Sequence, residues 1–114
     1  MIIARKDMKK EQKENMRGGE GIASFTHLVD CGNEKNIRML SEISLPPGAS
    51  IGYHQHNGET EYFLILSGNG TVNDEGAERP VSAGDAVITG NGGSHSIKNT
   101  GKEPLVFHAV IVTY

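Results

Sequence analysis

The sequence predicts an all-β fold of the sandwich or barrel type. Short apolar or alternating runs recur along the 114 residues, and Gly, Asn, Asp and Pro separate them, which is the pattern of strands joined by turns. The even spacing of these runs disfavours an alternation of helices and strands. The 15 glycines and four prolines fit a chain rich in turns, and its length fits one domain.

Taken in order from the amino terminus, the runs predict strands at Ile2–Ala4, Ile22–Val29, Asn36–Leu45, Ile51–His56, Glu61–Ser67, Gly70–Asn73, Arg79–Val81, Asp85–Thr89, His95–Lys98 and Leu105–Val112. Only Asp7–Asn15 has a sequence compatible with a helix, and an irregular arm suits it equally well because it has few apolar residues. We therefore expect an amino-terminal arm over residues 1–21 and a barrel over residues 22–114.

Composition and charge exclude several classes of partner. The formal net charge is -3, and the most basic stretch, "RKDMKKEQK", is interrupted by Asp7 and Glu11, so we expect no binding to nucleic acid. No apolar run approaches the length of a membrane span or a signal-peptide core, so we expect no membrane partner. Cys31 is the single cysteine, which favours a reducing compartment, and we expect a cytoplasmic protein.

Two histidines stand one residue apart in "GYHQHNGETEYFLILSG". Side chains alternate along a strand, so His54 and His56 point to one face with their backbones roughly 6.6 Å apart. Two imidazoles at that separation can converge on one metal ion.

The residues after His56 predict a hairpin, because Asn57-Gly58 is a favoured two-residue turn. On the return strand Glu61, Phe63 and Ile65 share one face. The opposite face, with Tyr62, Leu64 and Leu66, is also apolar, so we expect this strand to be covered on both sides. A buried carboxylate beside two histidines needs a partner, and a divalent metal supplies one. Glu59 is a rival ligand to Glu61, but its place in the turn predicts a solvated side chain.

A third histidine, His95, follows a glycine-rich turn and opens another predicted strand. Each histidine taken alone could be a surface residue or a hydrogen-bonded core residue. The combination of three histidines with a glutamate favours a metal site instead. The predicted ligands are His54, His56, Glu61 and His95.

These residues resemble the cupin family. The first cupin motif is matched by Gly48, His54, His56, Glu61 and Gly68 at every fixed spacing, and the second by Gly84, Gly90, Gly92, His95 and Asn99. One departure is Gly90, where most cupins have proline, and we expect a more flexible turn there.

The resemblance implies a double-stranded β-helix, the jelly-roll-like barrel of cupins, with one metal held by the four predicted ligands. It also implies a homodimer, in which "MIIA" could be exchanged between subunits. Within the family the chain is similar to oxalate decarboxylases and germin-type oxalate oxidases, which implies manganese, with iron, nickel or zinc as alternatives. Four ligands on an octahedral ion leave two positions, and the net site charge of about +1 suits a small chelating anion.

Three functions stay open at this point. One is a metal-dependent enzyme that decarboxylates or oxidises a small carboxylate such as oxalate or a related keto or hydroxy acid. Another is a non-catalytic module that binds or senses such an anion, and the third is a cupin sugar isomerase or epimerase.

The chain departs from the decarboxylases in having Ile51 where they carry an arginine that helps to hold substrate. Arg38 could supply the missing cation, and His108, or less readily His27, could line the cavity. Cys31 is expected to be unreactive, and the sequence identifies no catalytic acid or base.

Overall fold

In a computed structural model that describes residues 1–114, two antiparallel β-sheets form the walls of a double-stranded β-helix. The ten strands are β1 (Lys9–Glu14), β2 (Ile22–His27), β3 (Ile37–Leu45), β4 (Ser50–Gln55), β5 (Glu59–Ser67), β6 (Asn69–Asp74), β7 (Ala77–Ser82), β8 (Ala86–Gly90), β9 (Ser94–Asn99) and β10 (Leu105–Thr113). Six strands form one sheet in the order β1-β2-β3-β10-β5-β8, and four form the other in the order β4-β9-β6-β7.

The remaining regular structure consists of two single turns of 3-10 helix, Arg5–Asp7 and Met16–Gly18. None of the helices has the length and apolar character that crossing a membrane requires.

The apolar core lies between the two sheets and is built by side-chain alternation. Along β10, Leu105, Phe107, Ala109 and Ile111 are buried and the residues between them are not. Phe107 packs on Phe63 of β5 with the ring centroids 4.7 Å apart. Because such alternation is visible in the sequence, β2 to β10 were predictable to within two residues at each end.

The predicted strand at Ile2–Ala4 is wrong. These residues have no strand partner, and Ile2 is almost fully exposed. The strand of this region is β1 instead, which pairs antiparallel with β2 from Lys9 opposite His27 to Glu14 opposite Ile22. The segment Asp7–Asn15 therefore forms neither the helix nor the irregular arm that its sequence allowed, because most of it is β1.

Polar composition hides β1 in the sequence. It is an edge strand, so only one side needs a partner strand, and long polar side chains can cover the core from it. Glu11 and Lys13 are partly buried, and Lys13 places its ammonium 4.8 Å from the centre of the Phe25 ring. The hydrophobic alternation that identifies the other strands is consequently missing.

The predicted hairpin between β4 and β5 is also wrong. β4 pairs with β9 in the four-stranded sheet, whereas β5 lies between β10 and β8 in the six-stranded sheet. Asn57 and Gly58 thus carry the chain from one wall to the other. The turn signal is local and does not determine which strands pair. This crossing places His54 and Glu61 on facing walls.

Strand β5 is covered on one face only, contrary to the prediction. Glu61, Phe63 and Ile65 are buried, but Leu64 and Leu66 on the other face are 44% and 46% exposed. Ile88 of the neighbouring β8 is exposed as well. The outer face of the six-stranded sheet therefore presents apolar side chains to solvent.

Candidate metal centre

Four side chains from both walls of the barrel converge between the sheets. His54 is the penultimate residue of β4, and His56 follows that strand. His95 is on β9 and Glu61 is on β5. His54 and His95 are direct cross-strand partners. One ligand atom from each of the four residues lies within 4.8 Å of the others, a group that could hold a metal ion. The residues brought together are the four that the sequence predicted.

The Glu61 carboxylate lies close to all three histidines of the group. Its Oε1 is 2.9 Å from His95 Nε2, 3.0 Å from His56 Nε2 and 3.9 Å from His54 Nε2. Each pair of the three imidazole rings has centroids 4.8 Å apart. Three Nε2 atoms and one carboxylate oxygen therefore surround a common point.

The other nitrogen of each ring is engaged on the outside. Nδ1 of His54 lies 2.6 Å from the carbonyl oxygen of Gly52, and Nδ1 of His95 lies 2.8 Å from the hydroxyl of Thr89. Nδ1 of His56 lies 2.5 Å from the Glu59 carboxylate. Outer partners of this kind orient metal-ligating histidines and set which nitrogen is free for the ion. The residues present therefore fit a metal, with Nε2 as the ligand atom in all three histidines.

The electrostatics of the group favour a cation. Burial raises the pKa of the Glu61 carboxyl, but hydrogen bonding to the histidines outweighs it and holds that pKa well below its usual range. Burial lowers the pKa of His95, and the hydrogen bond to Glu61 raises the pKa of His56. The ionised carboxylate of Glu61 thus attracts protons to the imidazole nitrogens that face it. A divalent ion can replace those protons in the same position.

The predicted solvation of Glu59 is wrong. Its side chain is only 13% exposed, and it accepts two hydrogen bonds from the guanidinium of Arg38 as well as contacting His56. The sequence signal for this role was the first glutamate of "HNGETE", which the sequence indicates only as a rival ligand. Its position in the turn gave no indication of the arginine, which comes from β3.

The other candidates lie away from the cluster. His108 is on the outer side of the six-stranded sheet, 3.1 Å from a carboxylate oxygen of Glu42. His27 lies between Ser41 and Glu11, at 2.7 Å and 2.9 Å. Burial raises the pKa of the Cys31 thiol, which agrees with an unreactive cysteine.

A cavity of about 870 Å³ lies outside the cluster. It is bounded by β1, β2 and β3, and it includes Arg38 but none of the four converging residues. Arg38 thus connects the cavity to the cluster through Glu59. The cluster itself is almost closed, since the His54 side chain, its most accessible member, is 10% exposed.

A double-stranded β-helix with three histidines and one glutamate converging between its sheets defines a class of small, single-barrel proteins with a possible metal site. Residues 41–112 match the family model described as the cupin domain. The chain belongs to the cupin family.

Similar proteins include one named oxalate-binding protein from Thermotoga maritima. It is 42% identical over 113 residues, which cover 98% of this chain and 93% of that protein. The crystal structure of a predicted oxalate decarboxylase from the same organism superposes with a TM-score of 0.94 at 40% identity, covering all of both chains. A putative sugar phosphate isomerase from Acidithiobacillus ferrooxidans has a TM-score of 0.83 at 28% identity, over 99% of this chain and 75% of that one.

Proposed function

We propose that the cluster of His54, His56, Glu61 and His95 binds one divalent transition metal and, through it, a small dicarboxylate such as oxalate. The observation that carries this proposal is that all three Nε2 atoms converge on the Glu61 carboxylate while every Nδ1 is engaged elsewhere. The name of the Thermotoga relative supports oxalate as the ligand. Manganese is proposed first, followed by iron, nickel and zinc.

The charges of the surrounding residues suit a dianion. A divalent ion with one carboxylate and three neutral imidazoles keeps a charge of about +1, and when bound it supplies Lewis-acid chemistry. Two coordination positions of an octahedral ion stay free for the two oxygens of a chelating ligand.

Turnover of oxalate is the second candidate, and the match to the predicted oxalate decarboxylase favours it. Decarboxylation breaks the carbon–carbon bond, releases CO₂ and adds a proton to give formate. Ile51, where decarboxylases carry arginine, is buried in the apolar core and cannot hold substrate. Arg38 is the positively charged side chain linked to the cluster. It binds Glu59, which contacts His56.

Metal analysis followed by calorimetry tests the proposal. Untagged protein purified without chelator should contain about one metal ion per chain. The manganese-loaded protein should then bind oxalate, and bind it more tightly than succinate, whose longer chain forms a poorer chelate, or acetate, which has one carboxylate. The metal-free protein should not bind oxalate. An absence of metal after incubation with each ion, or equal binding of oxalate by metal-free protein, would contradict it.

Product analysis separates binding from catalysis. Formate and CO₂ in equal amounts indicate decarboxylation, and CO₂ with hydrogen peroxide under oxygen indicates oxidation. Tight oxalate binding with neither product identifies a binding module.

We also propose a cytoplasmic homodimer that buries the exposed apolar face of β5 and β8. Leu64, Leu66 and Ile88 on that face support the dimer, and the unpaired Met1–Ala4 segment is available for an exchanged contact. Sedimentation equilibrium should give a dimer for the wild type and a monomer for Leu64→Lys with Ile88→Lys. A dimer that survives these changes but not deletion of residues 1–4 would assign the contact to the amino terminus.

A further inference from the structure

Hydrogen bonds link three side chains in series from the surface to the metal centre. Arg38 donates from Nε to Glu59 Oε1 at 3.0 Å and from Nη2 to Glu59 Oε2 at 2.8 Å. Glu59 Oε2 in turn accepts from Nδ1 of His56 at 2.5 Å. Exposure of the side chains falls along this chain from 51% for Arg38 to 13% for Glu59 and 3% for His56.

We propose that Glu59 is a positioning residue of the metal centre and that Arg38 holds it in place. By accepting the Nδ1 proton, Glu59 keeps His56 Nε2 directed at the common point of the four ligands. His56 is the histidine with a charged outer partner, since His54 and His95 use a carbonyl and a hydroxyl. A carboxylate partner makes the imidazole a stronger ligand than a neutral partner does. The inference rests on the proposed metal site.

Arg38 reaches Glu59 because of an irregularity in β3. In the pairing with β10, Met39 is opposite Ile111 and Ile37 is opposite Val112. Arg38, which lies between them in β3, therefore has no pairing partner on β10. The planar guanidinium then binds both oxygens of one carboxylate, which fixes the plane of that carboxylate as well as its position. Without this clamp, Glu59 at the start of β5 could turn towards solvent.

The substitution Arg38→Met distinguishes positioning from simple electrostatics. Removing a positive charge near a cation site should tighten binding of a divalent ion if charge alone matters. If Arg38 acts by holding Glu59, the same substitution should weaken binding several-fold. Glu59→Ala should weaken it by about 10- to 100-fold, the usual effect of losing an outer partner of a ligand.

A matched control is available in the pair of Arg5 and Glu42. Arg5 is 56% exposed, comparable to Arg38, and it also binds a glutamate, but Glu42 has no contact with the cluster. Arg5→Met should leave the affinity for manganese unchanged. Thermal unfolding of all variants without metal shows whether each one folds.

Nitrogen-15 NMR of His56 gives a readout that does not depend on metal. In metal-free Glu61→Ala, where Nε2 of His56 has lost its carboxylate partner, the proton of the neutral ring should be on Nδ1, and adding Glu59→Ala should raise the fraction with the proton on Nε2. An unchanged tautomer on adding Glu59→Ala to Glu61→Ala, or tighter metal binding by Arg38→Met, would overturn the inference. A wild type that binds no metal would overturn the proposed function. The tautomer measurement would still test whether Glu59 positions His56.

Discussion

Thr60 occupies the space that a side chain at position 90 would need. The two residues are direct cross-strand partners in β5 and β8, and a Cβ added to Gly90 would lie 2.2 Å from Thr60 Oγ1 and 2.8 Å from Thr60 Cβ. The proline of most cupins cannot be accommodated opposite this threonine. Close packing against Thr60 thus gives a structural reason for glycine at position 90, and the more flexible turn expected there stays a prediction.

Substitution of Gly90 should therefore destabilise the fold. Gly90→Ala is expected to cost about 1–3 kcal/mol, the usual cost of overpacking. In the background Thr60→Gly, which removes the two nearest atoms, the same substitution should cost less. Urea unfolding of the four proteins in this cycle measures the coupling. Equal costs in both backgrounds would show that the contact with Thr60 is not the cause.

His95 and His54 should contribute differently to the stability of the metal-free protein. His95 is fully buried, stacks on Phe63 with ring centroids 4.8 Å apart and contacts Thr89. We expect His95→Ala to lose about 2–4 kcal/mol of unfolding free energy in chelator, because it leaves a core cavity. His54→Ala should lose less than His95→Ala, since the His54 side chain is 10% exposed and that of His95 is 1% exposed. Denaturant unfolding in the presence of chelator measures both.

Loss of a ligand should abolish stoichiometric metal binding. His56→Ala and Glu61→Ala are each expected to fold and to purify without metal, because each removes one of four converging donors. Elemental analysis and circular dichroism check the two expectations. Retention of one metal per chain in either variant would contradict the ligand assignment.

Metal removal should lower stability in the wild type. A ligand that binds only the folded state stabilises it by about 2.7 kcal/mol at a free concentration of 100 times its dissociation constant. Chelator should therefore lower the melting temperature of the wild type and leave that of His54→Ala unchanged. Equal shifts in both proteins would indicate that the metal binds elsewhere.

Asn99 should prove structural, although it belongs to the second motif. Its amide donates to the carbonyl oxygens of Leu45 and Glu103, both at 2.8 Å, and its oxygen accepts from the backbone of Gly101. Asn99→Ala leaves these backbone groups unpaired in a buried position, so we expect a loss of about 2–4 kcal/mol. Metal affinity of the folded fraction should be unchanged. Calorimetric titration with manganese below the melting temperature checks this.

The pair of Arg5 and Glu42 predicts a pH-dependent contribution to stability. The hydrogen bond from Arg5 lowers the pKa of Glu42, so the ionised form stabilises the fold at neutral pH and this contribution is lost as pH falls through the lowered pKa. Since Arg5 is more than half exposed, Arg5→Met should cost at most about 1 kcal/mol at neutral pH. The difference from wild type should disappear in acid. A difference that persists there would point to packing of the arginine stem.

The sequence by itself determined the fold class, the position of nine strands and the four residues that meet between the sheets. Alternation and turn residues are local properties, so they are visible without knowing the partners of a strand. The two histidines of one strand face, the glutamate of the next strand and the histidine after the glycine-rich turn could therefore be recognised, and the family motifs chose the same four residues.

Only the tertiary structure decided which strands pair and what surrounds the ligands. β1 is polar because an edge strand needs little apolar surface, and the turn at Asn57-Gly58 joins two sheets although its residues suit a hairpin. Arg38 and Glu59 are 21 positions apart, and a register irregularity in β3 brings them together. Such contacts depend on how the whole chain buries its apolar faces, which no local pattern contains.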